Sequence, residues 1–184
     1  FYVYIPYRDQ SRLPVFDTAQ DDFNFSQLFA ENRYVGNDRI GDANQLTLAV
    51  TSRLLDPKTG AERLRVSLGQ RFYFEGERVT LPGEVPRSGS SSDILLGAEG
   101  RLTDAWLVNG LVQHNLDTGT LGRFNVGARW NPEAGKAVAA TWRYTREVGS
   151  AIGGINELKQ FDLATQWPLT PQWTFLGRWN YSLV

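Results

Sequence analysis

Hydrophobic residues recur at every second position over long stretches of this chain. From Gln45 to Leu54, Leu46, Leu48, Val50 and Leu54 fall on one side, and Gln45, Thr47, Ala49, Thr51 and Arg53 on the other. From Arg63 to Phe74, Leu64, Val66, Leu68, Phe72 and Phe74 oppose Arg63, Arg65, Ser67, Gly69, Arg71 and Tyr73. A period of two is that of a β-strand with one apolar and one polar face. Strands of soluble domains run to about 5–6 residues, whereas a strand crossing a bilayer at a tilt needs about 9–11. Eight long segments are predicted, at 44–55, 62–74, 93–102, 105–116, 121–130, 136–146, 157–167 and 172–184, after an incomplete strand at 1–5. The apolar face falls on even numbers through the sixth (Leu96, Ala98; Val108, Val112; Phe124, Val126; Ala140, Trp142) and on odd numbers afterwards (Phe161, Leu163; Trp179, Tyr181).

The connections alternate as well. Asp56–Gly60, Thr103–Asp104, Asn131–Gly135 and Pro168–Pro171 are short, with Pro and Gly marking tight turns. The intervening ones, at 75–92, 117–120 and 147–156, include two that are long and rich in Gly and Ser. Short turns at one rim and longer loops at the other are the habit of outer-membrane barrels. The expected fold class is therefore all-β, an antiparallel transmembrane β-barrel segment of about eight full strands plus a partial one. Residues 1–184 are read as a fragment of a single barrel domain, because the first residues already lie in a strand-like run and the last stop in mid-alternation. Residues 6–42 are expected to form a long extracellular loop, and 75–92 a second. Trp106, Trp130, Trp167 and Trp173 all sit beside short turns, where an interfacial aromatic belt would lie.

Composition agrees without deciding. Mean hydropathy is −0.35, as expected when only alternate residues of a strand meet lipid. No apolar run is long enough for a transmembrane helix. Charge is more informative. The net charge of −1 conceals a segregation. Arg53, Arg63, Arg65, Arg71, Arg101, Arg123, Arg129, Arg143 and Arg178 lie on the polar strand face, where only Glu99 and Asp162 oppose them, a net of plus seven. Facing lipid, each would cost about 2–4 kcal/mol near the midplane. The arginine face must be wet, as a lumen wall or as the exterior of a soluble sandwich. Residues 6–42 hold seven acids and four arginines, a complementary net of −3. Phe16, Phe23, Phe25, Leu28 and Phe29 are candidate apolar anchors for that loop, and Arg39 and Asp42 are expected to fix its return into the strand at Gln45.

Catalytic chemistry is sparse. There is no Cys, and the lone His114 sits on an apolar strand face near a rim, where packing is its simplest role. Transition-metal and Cys–His chemistry have no ligand set. Asp17, Asp21 and Asp22 lack the spacing of a calcium loop. Ser88–Ser92 has no nucleophile elbow, and Gly149–Gly154 lacks the strand-to-helix setting of a phosphate loop. No enzyme, no cofactor and no metal is expected. Nucleic acid is disfavoured because the arginines thread a wall and form no open patch.

The long acidic connection carries further identifying residues. It runs from Leu28 to Gln45 as LFAENRYVGNDRIGDANQ, preceded by Tyr4–Gln10 (YIPYRDQ) and Leu13–Asp17 (LPVFD), and followed by Val50–Arg53 and Ser67–Phe74 (SLGQRFYF). In order and spacing this series resembles the LptD family of lipopolysaccharide-assembly proteins across residues 1–74, with a looser match in strand length and turn position beyond. The resemblance implies the later part of a barrel of about 26 strands that inserts lipopolysaccharide into the outer leaflet of the Gram-negative outer membrane. It implies a plug lipoprotein, LptE, a periplasmic Lpt bridge driven by an inner-membrane ATPase, and the barrel-assembly machinery as partners. Lumen-lining arginines would then contact lipopolysaccharide or plug, and Phe29, Arg33, Asp38, Arg39 and Asp42 the plug or neighbouring loops. The family's lateral opening lies between its first and last strands, and its paired cysteines would follow residue 184, so neither falls on a residue of this sequence. A porin or gated transporter barrel shares the strand features, and a soluble lipocalin-like carrier would invert them, with apolar faces inward.

Overall fold

The computed structural model describes every residue except 22, 85, 88, 149–154 and 184. Asp22 of the acidic trio, Ser88 of the serine-rich stretch and the glycine-rich 149–154 therefore lie outside the described residues. Among those described there is no α-helix. Eleven strands follow in order: β1 Tyr2–Ile5, β2 Ala19–Gln20, β3 Tyr34–Val35, β4 Ala43–Leu55, β5 Glu62–Tyr73, β6 Ile94–Arg101, β7 Trp106–Asn115, β8 Thr120–Trp130, β9 Ala137–Val148, β10 Ile155–Pro168 and β11 Thr174–Leu183. Nine form one antiparallel sheet in the order β1-β4-β5-β6-β7-β8-β9-β10-β11, each long strand beside its sequence neighbour. The alternation placed the eight long strands to within about two residues. It did not reveal β2 and β3, a two-stranded ribbon inside the long loop, nor the 3₁₀ turn Gln27–Phe29. These are short elements of two or three residues, too short to show a periodicity.

The chain forms two compact units, residues 1–50 with 69–95, and residues 51–68 with 96–184. In the first, the usual order of inside and outside is reversed. Val50 is 71% exposed, whereas Thr47 is 2% and Arg71 4% exposed. The loop between β1 and β4 covers the polar face of the strands and leaves the apolar face bare. Val3, Leu28, Tyr34, Val79 and Leu95, the buried hydrophobic residues among those described, all lie in this unit. A lipocalin-like arrangement, with apolar strand faces turned inward, does not describe it.

The second unit is a sheet whose register builds one continuous apolar face. Val108 pairs with Ala128, Ala128 with Ala140, Ala140 with Leu163, and Leu163 with Trp179. The switch from even to odd numbers between β9 and β10 is thus real: it keeps the apolar residues on one side. One irregularity was not foreseen. Gln113 pairs with Arg123 but His114 with Leu121, so Gly122 is an extra residue in β8. Such a bulge shifts the alternation by one, which brings Leu121 onto the apolar side beside His114. The short turns follow local rules. Gly60 and Gly135 have φ of 70° and 81°, a conformation that a side chain disfavours.

Candidate functional site

The candidate site is the polar strand face of the first unit and the loop strapped across it. Leu28 is the knob. It is 0% exposed, and a Cβ built on Gly69 would stand 2.7 Å from its Cδ1. Gly69 therefore opens a hole in β5, the use expected of an isolated glycine within a strand. Polar bonds flank the knob. Thr47 Oγ1 donates to the Leu28 carbonyl at 2.6 Å, and the Arg71 guanidinium donates to the carbonyls of Gln27 and Ala30. A buried arginine satisfied by loop carbonyls fixes both strand and loop.

The rest of the loop is held by its own motif residues. Gln10 and Ile40 bond reciprocally, the side-chain amide donating to the Ile40 carbonyl at 2.7 Å and accepting from its N–H at 3.1 Å. Asp38 accepts the N–H groups of Phe16 and Asp17 at 2.8 and 2.9 Å, and these bonds hold its carboxyl below the usual range. Gly36, at φ 89°, would place a Cβ 2.7 Å from the Asp17 carbonyl oxygen. Arg39 is buried and donates to the Leu13 carbonyl at 2.6 Å. It reaches back along the loop, not forward to Gln45. Asp42 accepts from the backbone N–H of Arg78 and of Val79, the latter at 2.9 Å. It thereby ties the first loop to the second.

A buried ionic group joins the same two loops. Arg33 pairs with Glu77 at 3.5 Å and Glu84 at 3.9 Å and donates to the Val79 carbonyl. The Tyr34 hydroxyl lies 2.6 Å from Glu84, and burial, then that contact, push its pKa up. Arg87 stacks over Tyr73 at 4.3 Å. Burial, with the charges of Arg33 and Arg71 beside it, pushes its pKa down to about 10. Burial raises Glu77, against the pull of Arg33.

The remaining expected residues distribute as follows. Arg63 bridges two short turns, 3.0 Å from both Asp56 and Asp104. Arg65 pairs with Glu62 and Glu99, and Arg178 with Asp162 at 2.7 Å. Turn carboxylates thus neutralise part of the wall that strand faces alone left at plus seven. Arg129 bonds Asn131 at 2.8 Å. Arg53 and Arg101 have no carboxylate at ion-pair distance among the described residues, and Arg101, Arg143 and Arg53 are exposed. Arg123 is half-buried on β8, one register step from Asn125 and Arg143. Between Arg129 and Arg178, the small side chains Ala137, Ala139 and Ala164 leave a depression of about 430 Å³ on the polar face. Trp106, Trp130 and Trp167 form a chain of ring contacts, with centroids 6.1 and 6.2 Å apart. Trp173 stands in the next turn, exposed and outside that chain. Phe16, 82% exposed, is no anchor, and Phe29 is half-exposed against Phe1. Phe25 lies beside Leu28 at Gly69, as expected of an anchor, but four further side chains that hold the loop were missed: Tyr34, Val79, Glu84 and Leu95. Gly69 in a strand and Leu95 at an odd, polar-face position were the available signals.

Comparison with known proteins gives the same answer as the loop motifs. The family described as LPS transport system D, LptD, matches residues 1–173. The chain belongs to the LptD family. It is 48% identical over 183 residues to the LPS-assembly protein LptD of Azoarcus sp. (strain BH72), 46% over 188 to that of Bordetella pertussis and 45% over 186 to that of Chromobacterium violaceum. Each alignment takes in all of this chain and 22–23% of the relative. The chain therefore spans under a quarter of the LptD proteins it matches. As an LptD segment, its nine-stranded antiparallel sheet is part of a transmembrane β-barrel, and the family is one of transport and assembly, not of known enzymes.

Proposed function

We propose that this LptD segment forms part of the wall of the outer-membrane translocon that inserts lipopolysaccharide into the outer leaflet. The observation that carries the reading is the inverted amphipathy of the first unit: bare apolar strand faces outside, and a loop of family motif residues locked onto the polar side. Acyl chains cannot cheaply cross a polar lumen, while phosphorylated sugars can. A wall of arginines suits the sugar part, and the lipid part must leave sideways. In this reading the apolar face meets lipid, the nine arginines face the interior, and residues 6–42 and 75–92 lie outside the cell as one closure over the lumen. The Trp106, Trp130 and Trp167 rings stand at the periplasmic interface. The plug lipoprotein, LptE, would press on the depression between Arg129 and Arg178, and the periplasmic Lpt bridge would deliver lipopolysaccharide to the full-length protein.

Two experiments on the full-length protein test this. A photo-crosslinking residue at Phe29 or Leu176 should trap the plug or the barrel interior. Deletion of residues 20–36 should impair assembly with the plug and admit large antibiotics. A deletion that leaves assembly and impermeability unchanged would overturn the role of the strap.

A further inference from the structure

The apolar face of the strands carries almost no charge. Apart from Glu62, at the short-turn end of β5, the exceptions gather at the long-loop end of β9 and β10. Tyr144 and Arg146 continue the face of Ala140 and Trp142, and their register partners Lys159 and Glu157 continue that of Phe161 and Leu163. Lys159 Nζ lies 3.0 Å from Glu157 Oε2. The Tyr144 hydroxyl donates to Glu157 Oε1 at 3.0 Å, and the Lys159 ammonium sits 5.9 Å from the centre of the Tyr144 ring. Glu157 is therefore shared by two neighbours. Arg146 stands opposite Glu157 in register, and its buried Nε makes no hydrogen bond among the described residues. Two cations and one carboxylate leave the group at plus one.

Its height in the wall follows from the register. Val138 pairs with Trp130, whose ring touches Trp106 and Trp167. The eight steps from Val138 to Arg146 span about 26 Å along the strand at about 3.3 Å each. At a tilt of about 40° that is roughly 20 Å along the membrane normal, close to an apolar band of about 25 Å. With the tryptophans at one interface, Arg146 and Lys159 stand at the other. Cations are prohibitive at the midplane of a lipid-facing wall and cheap only near its edges, and long side chains there reach toward headgroups.

We propose that Arg146 and Lys159 bind a phosphate-bearing lipid headgroup of the outer leaflet on the outside of the barrel wall. This rests on the reading that the apolar face meets lipid and the long-loop rim faces outward. A guanidinium can match phosphate oxygens as a fork, and the ammonium adds a second, point-like charge. At a membrane interface, phosphate is the anion that this pair would meet.

The test uses the full-length protein in phosphatidylcholine nanodiscs doped with phosphatidic acid, a lipid phosphate monoester. Native mass spectrometry then counts the phosphatidic acid retained after mild detergent extraction. Arg146→Gln with Lys159→Gln should lower retention about tenfold, and Arg8→Gln with Arg12→Gln, at exposed positions of the long loop, should leave it unchanged. Glu157→Gln removes the competing carboxylate and should raise retention, so the prediction survives a double variant that fails to fold. Unchanged retention in the double and Glu157 variants overturns the site, as does equal loss in the loop control. Displacement of the lipid by millimolar inorganic phosphate overturns the commitment to a headgroup. A photo-crosslinking residue at Leu163 separates the two levels. Labelling of acyl chains with unchanged retention sinks this site alone, whereas no labelling of acyl chains sinks the membrane-facing reading beneath it.

Discussion

Leu28→Ala and Gly69→Ala should each loosen the strap, and together they should do so less than additively. Leu28 is fully buried, and truncating leucine at such a site costs about 2–5 kcal/mol. A methyl group at residue 69 would stand 2.7 Å from Leu28 Cδ1 and 3.3 Å from Ala49 Cβ, an overpacking of about 1–3 kcal/mol. In the double variant the clash is gone, and the new methyl group fills part of the vacated space. The coupling should therefore be favourable by roughly 1–2 kcal/mol, as for other touching pairs. The assay is proteolysis of residues 6–42 in the assembled full-length protein, where cleavage follows the population of the open loop when reclosing is fast. A loss of about 3 kcal/mol corresponds to cleavage roughly 100-fold faster. Phe16→Ala, at an exposed position, should leave the rate unchanged. Additive effects in the double variant, or an unaltered rate in Leu28→Ala, would refute the knob-in-hole account.

Asp38 gives a pH dependence. Its folded pKa is depressed by two backbone N–H donors, so its contribution is complete above the unfolded value of about 3.9 and is lost as pH falls through the folded one. Hydrogen exchange at the Phe16 and Asp17 amides should accelerate on acidification below about pH 4, and Asp38→Asn should abolish that acid step. Val126→Arg places a charge between Gly110 and Trp142 on the apolar face and should cost about 2–4 kcal/mol if that face meets mid-bilayer lipid; Asn125→Arg should be tolerated, and equal outer-membrane levels of the two would reverse the faces. Trp130→Ala breaks two ring contacts, worth about 1–3 kcal/mol together, so it should lower the unfolding midpoint more than Trp173→Ala does.

The sheet was legible in the sequence because a period of two survives any tertiary setting: side chains of one strand must alternate. Strand order followed from turns such as Asp56–Gly60, too short for anything but an antiparallel neighbour. The polar strand face was legible because Arg63, Arg65 and Arg71 fall at alternate positions, opposite Leu64, Val66 and Leu68. The strap was legible only as a loop with apolar anchors. Phe16 and Leu28 look alike in composition, and which of them is buried depends on a hole at Gly69, far away in sequence. Likewise Asp42 marks the end of the loop by position, yet its partners are the amides of Arg78 and Val79, which no local pattern announces. The bulge at Gly122 escaped because the shift it causes moves a single residue, Leu121, across the sheet.

The tie between the two loops sets an order of events for the growing chain. Leu28 has no seat until β5 has brought Gly69 alongside Ala49. Arg33 and Tyr34 have no counter-groups until residues 77–84 follow, partners 46 to 50 positions away in the chain. Closing such long segments costs entropy before any contact repays it. The strap therefore shuts after the β4–β5 hairpin, when the second loop arrives. Lesions at its seams should register first as slow maturation of the barrel, and only afterwards as a defect in the finished one.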